Sequence, residues 1–316
     1  MKRILLSIFV VGLLLVLADD LQAQERVYPF IELTDEDLER IDLHDGSVGD
    51  WLDVIGDATL TALSLEGSSD LSYDPADLDF RLWLAWHDAT DRIYVAMEQA
   101  DDIYVNDFNR PNMLASTTYM FTHDSAIAFV VDGNGAKDPM GPLLLENGKL
   151  TEEFFLRYAR DTQWYYVLGE TFDDDPGLHL KNYNLDFMPP SEYSDWYDRP
   201  PYAESGGTHF GENPTISVTE FYLTPFDLFV WNDPPPASLV SDLYPGKHIS
   251  FRVFIPDIEG PRVDDDTFRN PRENLYRLAG DTWGDGLLLG SGGALPEVED
   301  TAVESDSWGR IKASFR

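Results

Sequence analysis

Two segments of alternating apolar and polar residues, joined by a short polar turn, constrain the fold of this chain most strongly. Residues 79–107 have the sequence DFRLWLAWHDATDRIYVAMEQADDIYVND. One face of the pattern carries Phe80, Leu82, Leu84 and Trp86 before the turn at 88–91, and Ile93, Val95 and Met97 after it. Such alternation is typical of half-buried β-strands. The segments are also rich in β-forming residues, so the sequence predicts a β-hairpin with one face in a core.

The tryptophans in and before this hairpin have different expected places. Trp86 shares the apolar face and is expected in the core. Trp83 lies on the opposite face, where it is expected either to be exposed or to face a second sheet. Trp51 follows a stretch of glycine and aspartate turns and is expected to close the bottom of the fold.

Short β-like segments recur along the rest of the chain, and helical periodicity is weak. We expect about nine strands in all. Besides the two strands of the hairpin they lie at 58–65, 124–131, 163–171, 215–223, 248–255, 286–289 and 308–315, and residues 27–31 are expected to be a short extended segment. One or two helical turns capped by Thr34 and a short helix at 151–159 are also expected. These elements predict an all-β fold, a two-sheet antiparallel β-sandwich of the jelly-roll or immunoglobulin-like kind, with a long irregular insertion at about 133–214.

The N-terminal residues have the pattern of a targeting segment. Residues 1–23 start with Lys2 and Arg3, continue with an apolar run from Ile4 to Leu17 and end at Ala23. This order is typical of a secretory signal peptide cleaved after Ala23, and the run is short for a membrane span. We therefore expect a secreted or periplasmic protein whose residues 24–316 form a single domain without membrane insertion. Retention by an uncleaved anchor is the alternative.

Composition narrows the chemistry further. The chain has no cysteine, which excludes disulfides, cysteine-ligated zinc and thiol catalysis. Its formal net charge of −36 at pH 7 repels phosphate backbones and anionic lipids, so nucleic acid is not an expected partner. Most of the acids suit a solubilising surface, whereas some have the chemistry to bind hard cations, chiefly Ca²⁺.

Three groups of closely spaced oxygen ligands are candidate structural Ca²⁺ sites. They are Asp101 with Asp102 at a strand end, Asp132 with Asn134 in a glycine turn, and Asp264 with Asp265 in an acidic run. Ca²⁺ binds several carboxylate and carbonyl oxygens that converge from loops. None of the three matches the spacing of an EF-hand loop. Solvated acids without an ion are the alternative interpretation.

Several motifs in combination resemble a known family. They are the Asp-Gly turn before a tryptophan (Asp45, Gly46, Trp51), the hairpin LWLAWHDATDRIYVAME, the pair Asp101-Asp102, and the strands DSAIAFVVD and PGKHISFRVFIPD. With these motifs the chain resembles the family 9 carbohydrate-binding modules and their DOMON-like relatives, except over 133–214. The resemblance implies a β-sandwich that binds sugars, often with structural calcium, frequently beside polysaccharide hydrolases. The two tryptophans that clamp a sugar ring in this family have no clear counterpart here.

The loop around residue 196 combines aromatic rings with planar polar groups, as sugar binding requires. Its candidate ligand-binding residues are Tyr193, Trp196, Tyr197, Asp198 and Arg199. Trp231 and Trp283 are second candidates, because turn residues surround both. The alternative is that the loop aromatics only pin a long loop onto the sandwich.

Motifs for common catalytic and cofactor sites are missing. The sequence has no G-x-S-x-G elbow, H-E-x-x-H helix, P-loop or G-x-G-x-x-G turn, so no nucleotide is expected. Haem is not expected either. Of its candidate axial ligands, Met97 lies on the core face of its strand, and His87 is a single histidine of the kind that is more often structural. A carboxylate pair for glycoside hydrolysis stays open, since the chain has 58 acidic residues and such a pair needs no local motif.

Together these features predict a monomeric, exported β-sandwich that binds poly- or oligosaccharide without transforming it. Ca²⁺ would stiffen its loops, and polysaccharide utilisation is the expected context. Two alternatives stay open: a structural protein of surface assembly in the envelope, and a free-standing polysaccharide-degrading hydrolase.

Overall fold

The computed structural model describes residues 27–65, 73–105, 126–135, 145–146, 149–150, 162–168, 180–182, 196–230, 237–258, 272–277 and 284–293. The helices within these ranges are α1 (Asp35–Leu38) and α2 (Gly49–Val54). The strands are β1 (Val27–Glu32), β2 (Leu60–Thr61), β3 (Leu78–His87), β4 (Arg92–Asp101), β5 (Ala126–Asp132), β6 (Leu145–Glu146), β7 (Lys149–Leu150), β8 (Gln163–Leu168), β9 (Leu180–Asn182), β10 (Ala203–Phe210), β11 (Thr215–Leu223), β12 (Phe226–Leu228), β13 (Leu239–Val240), β14 (His248–Ile258), β15 (Arg272–Arg277) and β16 (Gly284–Leu289). The expected signal peptide at 1–23, helix at 151–159 and strand at 308–315 lie outside the described residues.

Twelve strands form one curled sheet in the order β10-β11-β4-β3-β1-β16-β14-β5-β8-β9, with β2 paired to β3 and β15 paired to β14. Its two halves, β10-β11-β4-β3 and β16-β14-β5-β8-β9, are each antiparallel. The strand β1 joins them, because it pairs in parallel with both β3 and β16. The predicted all-β fold class is confirmed, although the two layers are continuous through β1 and the sheet is mixed rather than purely antiparallel.

A hydrophobic core fills the space between the two halves of the curled sheet. It contains the predicted inward face of β3, namely Phe80, Leu82, Leu84 and Trp86, each at most 1% exposed. The ring centroids of Phe129 on β5 and Phe221 on β11 lie 5.8 Å apart, so the halves are in direct contact. The hairpin register pairs His87 with Arg92, and Asp91 closes the turn at a φ of 50°, a conformation that aspartate tolerates better than most residues.

A second core covers the outer face of β3, β4 and β11. Here Trp83, Tyr94 and Tyr222 pack beneath the N-terminal segment 33–58, which contributes the fully buried Trp51. Trp83 is therefore neither exposed nor facing the other half of the sheet. Trp51 lies on the outer face of the sheet and does not close its bottom. Strand alternation identified the two faces but contained no information about which segment covers the second one.

Local elements before the hairpin differ in part from expectation. The predicted turn at Thr34 is confirmed as the N-cap of α1, because its Oγ1 accepts from Asp37 N at 3.2 Å while Asp37 Oδ2 accepts from Thr34 N at 2.9 Å. The expected strand at 58–65 is reduced to β2, because Thr61 and Ser64 form a capping box that starts a 3-10 turn. The helix α2 formed where only turns were expected.

Neither helix in the described ranges has the length and apolar character needed to cross a bilayer.

Candidate functional site

The structure describes the end of the expected sugar-binding loop, residues 196–199, and places it against the core just before β10. Trp196 and Tyr197 lie in a 3-10 turn there. The Trp196 ring is half-buried, and its centroid lies 4.9 Å from that of Tyr202 and 5.8 Å from that of Phe229. Tyr197 is completely buried, 5.0 Å from the ring of Phe229. This burial contradicts the expectation that Tyr197 contacts a ligand, because a ring packed in the core presents no face to solvent.

Arg199 follows the same turn and keeps its side chain exposed. Its backbone oxygen accepts hydrogen bonds from the N–H groups of Tyr202 and Ala203, at 2.8 and 3.1 Å. These backbone bonds hold the turn independently of the Arg199 side chain. Of the remaining candidates, Asp198 belongs to the turn, while Tyr193, Trp231 and Trp283 lie outside the described residues.

Trp196 differs from the other tryptophans whose side chains are described. Trp51, Trp83 and Trp86 are each 0% exposed. Their indole N–H groups donate to Glu220 Oε1 at 2.6 Å, Gly56 O at 2.8 Å and Leu289 O at 2.9 Å, respectively. Among these four tryptophans, Trp196 is thus the least buried.

The expected metal ligands at strand ends are occupied in part by local hydrogen bonds. Asp101 Oδ1 accepts from Ile103 N at 2.9 Å, and Asp132 Oδ1 accepts from Asn134 N at 3.2 Å. Asp102 Oδ1 is buried without a hydrogen-bond partner in the described structure. Asp264 and Asp265 lie outside the described residues. Calcium at these positions stays a prediction.

A different acidic group is brought together on the outer face of the sheet. One carboxylate oxygen from each of Asp45, Asp50 and Glu220 lies within 4.8 Å of the others. Asp45 is exposed and Asp50 is half-buried, whereas Glu220 is 0% exposed. We call these three residues the acidic triad; in the described ranges, no expected metal site belongs to a comparable group of three.

Small residues in the sheet make room for the acidic triad. Glu220 on β11 pairs with Gly206 on β10 and with Ala96 on β4. A side chain at Gly206 would clash with the backbone oxygen of Leu43. Glycine within a strand permits such a close backbone approach, so the loop carrying Asp45 can lie directly on the sheet.

Hydrogen bonds orient all three carboxylates of the acidic triad. Asp45 Oδ1 accepts from Ser47 N at 2.7 Å. Asp50 accepts from the backbone N–H groups of Asp42 and Trp51, at 2.9 and 2.8 Å. Glu220 Oε1 accepts from the indole of Trp51 at 2.6 Å, while its Oε2 is buried without a partner.

The electrostatics of the acidic triad disfavour the charged form of its buried member. Burial raises the pKa of Glu220 to about 8, against a lowering effect of the Trp51 hydrogen bond and with further raising by Asp50, Asp45 and Asp42. Burial also raises the pKa of Asp50, an effect that three backbone hydrogen bonds oppose. A cation at this place would therefore relieve a concentration of negative charge.

Two types of chemistry are conceivable for such a triad: acid–base catalysis and metal binding. Glycoside hydrolysis requires that both carboxylates reach the scissile bond. Glu220 has no solvent-exposed surface, so a glycosidic oxygen does not reach it in this conformation. Metal binding does not require that a large substrate reaches the carboxylates. Sequence reasoning noted the Asp45 turn but missed the triad; the signal was an acid, Glu220, inside the otherwise buried strand TISVTEFYL.

No protein-family model and no curated protein matches the sequence. Among solved structures, the chain is similar to a family 9 carbohydrate-binding module from Caldicellulosiruptor kristjanssonii in complex with glucose, at 14% identity and a TM-score of 0.43, over 86% of this chain and 100% of that one. It is also similar to a putative carbohydrate-binding protein from Bacteroides uniformis, at 9% identity and a TM-score of 0.36, over 84% of this chain and 100% of that one. The resemblance seen in the sequence and these structural similarities name the same kind of protein. With TM-scores below 0.5, these similarities do not establish what this chain binds.

Proposed function

We propose that this protein is a non-catalytic carbohydrate-binding module that binds poly- or oligosaccharide at the rim of its β-sandwich. The observation that supports the proposal best is the half-buried Trp196 beside the exposed Arg199. Sugar rings stack their C–H faces on aromatic planes, and their hydroxyl groups bond to planar polar groups. The pair supplies one group of each kind within a single turn.

The packing of the sheet favours the rim over its faces as the binding place. The inner face of β3 and β4 is filled by the main core, and their outer face is covered by residues 33–58. A ligand therefore finds no open sheet face along these two strands. The turn that contains Trp196 lies beside this packing, held by Tyr202 and Phe226 with ring centroids 4.9 and 5.7 Å away.

The wider biological setting is part of the same proposal. The pattern of residues 1–23 supports export to the periplasm or the medium, where polysaccharides are met. The protein would act there as a monomer, with Ca²⁺ stiffening its loops and with hydrolases performing the cleavage. Its acidic surface suits neutral sugars better than anionic polymers, because net charge of one sign repels ligands of the same sign.

A glycan array followed by calorimetric titration tests the proposal, with and without Ca²⁺. Glucose and its oligomers are the first ligands to try. We expect binding by the wild type and about tenfold weaker binding for Trp196→Ala, since aromatic contacts contribute about 0.5–1.5 kcal/mol beyond the area they bury and about 1.4 kcal/mol corresponds to tenfold in affinity. Arg199→Gln should also weaken binding while leaving the turn intact, because backbone atoms hold that turn.

The matched control is Tyr244→Ala, which removes an aromatic ring that is 52% exposed in a different turn. It should bind sugar as the wild type does. Equal loss in Trp196→Ala and Tyr244→Ala, or no binding to any glycan under either condition, would contradict the proposal. Release of reducing ends from a polysaccharide would replace it by a hydrolase.

A further inference from the structure

We propose that Asp45, Asp50 and Glu220 form a binding site for a divalent cation of the Ca²⁺ class, separate from the rim around Trp196. The site joins the N-terminal segment to the outer face of the sheet. It does not depend on sugar binding.

The spacing of the oxygens fits a single coordination shell. Ca²⁺ binds oxygen at about 2.4 Å, so two ligands of one ion lie at most about 4.8 Å apart. One oxygen from each of the three carboxylates lies within 4.8 Å of the other two. All three residues can therefore contact the same ion, with the other ligand positions left to water or backbone oxygens.

The buried oxygen of Glu220 indicates that the acidic triad has a missing partner. Glu220 is 0% exposed, and its Oε2 accepts no hydrogen bond in the described structure. A buried polar atom without a partner costs free energy, and native proteins rarely leave one without an ion or a water. The neighbouring acids make the cost larger, since they add negative charge around an already desolvated carboxylate. A cation compensates both effects at once.

The surroundings of the acidic triad are arranged for binding rather than for repulsion alone. Asp45 and Glu220 each have one oxygen oriented by an N–H donor, from Ser47 and from the Trp51 indole, respectively. Asp50 has both oxygens oriented, because Oδ2 accepts from Asp42 N and Oδ1 from Trp51 N. Such outer donors orient ligands and strengthen metal binding. Asp45 is exposed while Glu220 forms the buried floor, so an ion has a path from solvent to the site.

The site would have a structural role. Asp45 lies in the loop before α2, Asp50 lies in α2, and Glu220 lies on β11. Glu220 follows Asp50 by 170 positions in the sequence. An ion bound by all three cross-links the N-terminal segment to the sheet. Because a ligand that binds the native state alone stabilises it by mass action, this cross-link raises the melting temperature with Ca²⁺ concentration.

Calorimetric titration of the EDTA-treated protein, residues 24–316, with CaCl₂ tests the site. The wild type should bind Ca²⁺, and both Glu220→Gln and Asp45→Asn should bind one ion fewer or with at least about tenfold lower affinity. Glu220→Gln retains an oxygen that can accept from Trp51. The matched control is Asp53→Asn, which removes one exposed carboxylate from the same helix as Asp50 and should leave the titration unchanged.

Terbium luminescence gives an independent readout at the same place. Tb³⁺ replaces Ca²⁺ at oxygen sites and emits when a nearby tryptophan is excited, and Trp51 contacts Glu220 directly. The sensitised emission should fall in Glu220→Gln and should equal that of the wild type in the control Asp53→Asn. The variants need to match the wild-type circular dichroism in EDTA, so that misfolding is recognised. Ca²⁺ titrations that are the same for wild type, Glu220→Gln and Asp45→Asn, or no Ca²⁺ binding at all, would overturn the proposal.

Discussion

Above the pKa of Glu220, which is about 8, replacing Trp51 by phenylalanine should destabilise this protein more than the same change at Trp83, because the acceptor of the Trp51 indole is then charged. Both side chains are 0% exposed and belong to the same outer core. The Trp51 indole donates to Glu220 Oε1 at 2.6 Å, whereas that of Trp83 donates to the Gly56 backbone oxygen at 2.8 Å. A hydrogen bond to a charged group contributes about 1.5–3 kcal/mol, and a neutral one about 0.5–1.5 kcal/mol.

The loss of volume is the same in Trp51→Phe and Trp83→Phe, so the difference between them reports mainly the acceptor. We expect the free energy of unfolding to fall by roughly 1 kcal/mol more for Trp51→Phe. The effect adds to the partner problem of Glu220, whose Oε2 already lacks a donor. Without the Trp51 indole, Oε1 of this buried carboxylate would lose its donor as well.

Urea unfolding followed by circular dichroism measures these differences, at pH 9 in EDTA, above the pKa of Glu220 near 8. A double-mutant cycle with Glu220→Gln isolates the pair. In the Glu220→Gln background, Trp51→Phe should cost no more than Trp83→Phe does. Equal costs of the two tryptophan changes in the wild-type background, or an unchanged cost in the Glu220→Gln background, would refute the reasoning.

Three further predictions concern pH, the close approach at Gly206 and the contact between sheet halves. The pKa of Glu220 is raised from 4.5 to about 8. The stability of the metal-free protein relative to Glu220→Gln should therefore be greatest below pH 4.5 and should decline through pH 8, by up to about 4 kcal/mol. A stability difference that does not change across pH 4–9 in EDTA would contradict the assigned burial. Gly206→Ala should cost about 1–3 kcal/mol and weaken Ca²⁺ binding, because its Cβ would meet the Leu43 backbone oxygen; wild-type stability and Ca²⁺ affinity in this variant would argue against the close approach. Phe129→Ala should cost about 3–5 kcal/mol in urea unfolding, whereas Phe210→Ala, at a residue that is 53% exposed, should change stability by no more than about 0.5 kcal/mol; similar costs would contradict the core assignment.

The hairpin shows how far local sequence pattern determines structure. The alternation of Phe80, Leu82, Leu84 and Trp86 requires only that successive side chains of a strand point to opposite faces, and this holds for any strand. The structure has those residues in the core and pairs β3 with β4 around the predicted turn at 88–91. Strand β11 was likewise predicted with the bounds that the structure has, Thr215–Leu223.

The sugar-binding rim was predicted only in part. Composition identified the loop that contains Trp196 and Arg199, because aromatic and planar polar residues are concentrated there. It could not decide which ring is exposed. Tyr197, one residue from Trp196, is buried against Phe229, and that outcome depends on residues more than 30 positions away in the chain by number.

By itself the sequence determined the all-β class, the inward face of β3 and β4, and the cap at Thr34, because strand alternation and capping are interactions between residues close in the chain. Tertiary structure alone decided that β1 pairs in parallel with both halves of the sheet and that residues 33–58 cover its outer face. It also decided that Asp45 and Asp50 meet Glu220. Such contacts arise when a loop from one end of the chain packs on a strand from the other, and the energy of that packing depends on the complete fold rather than on any local pattern.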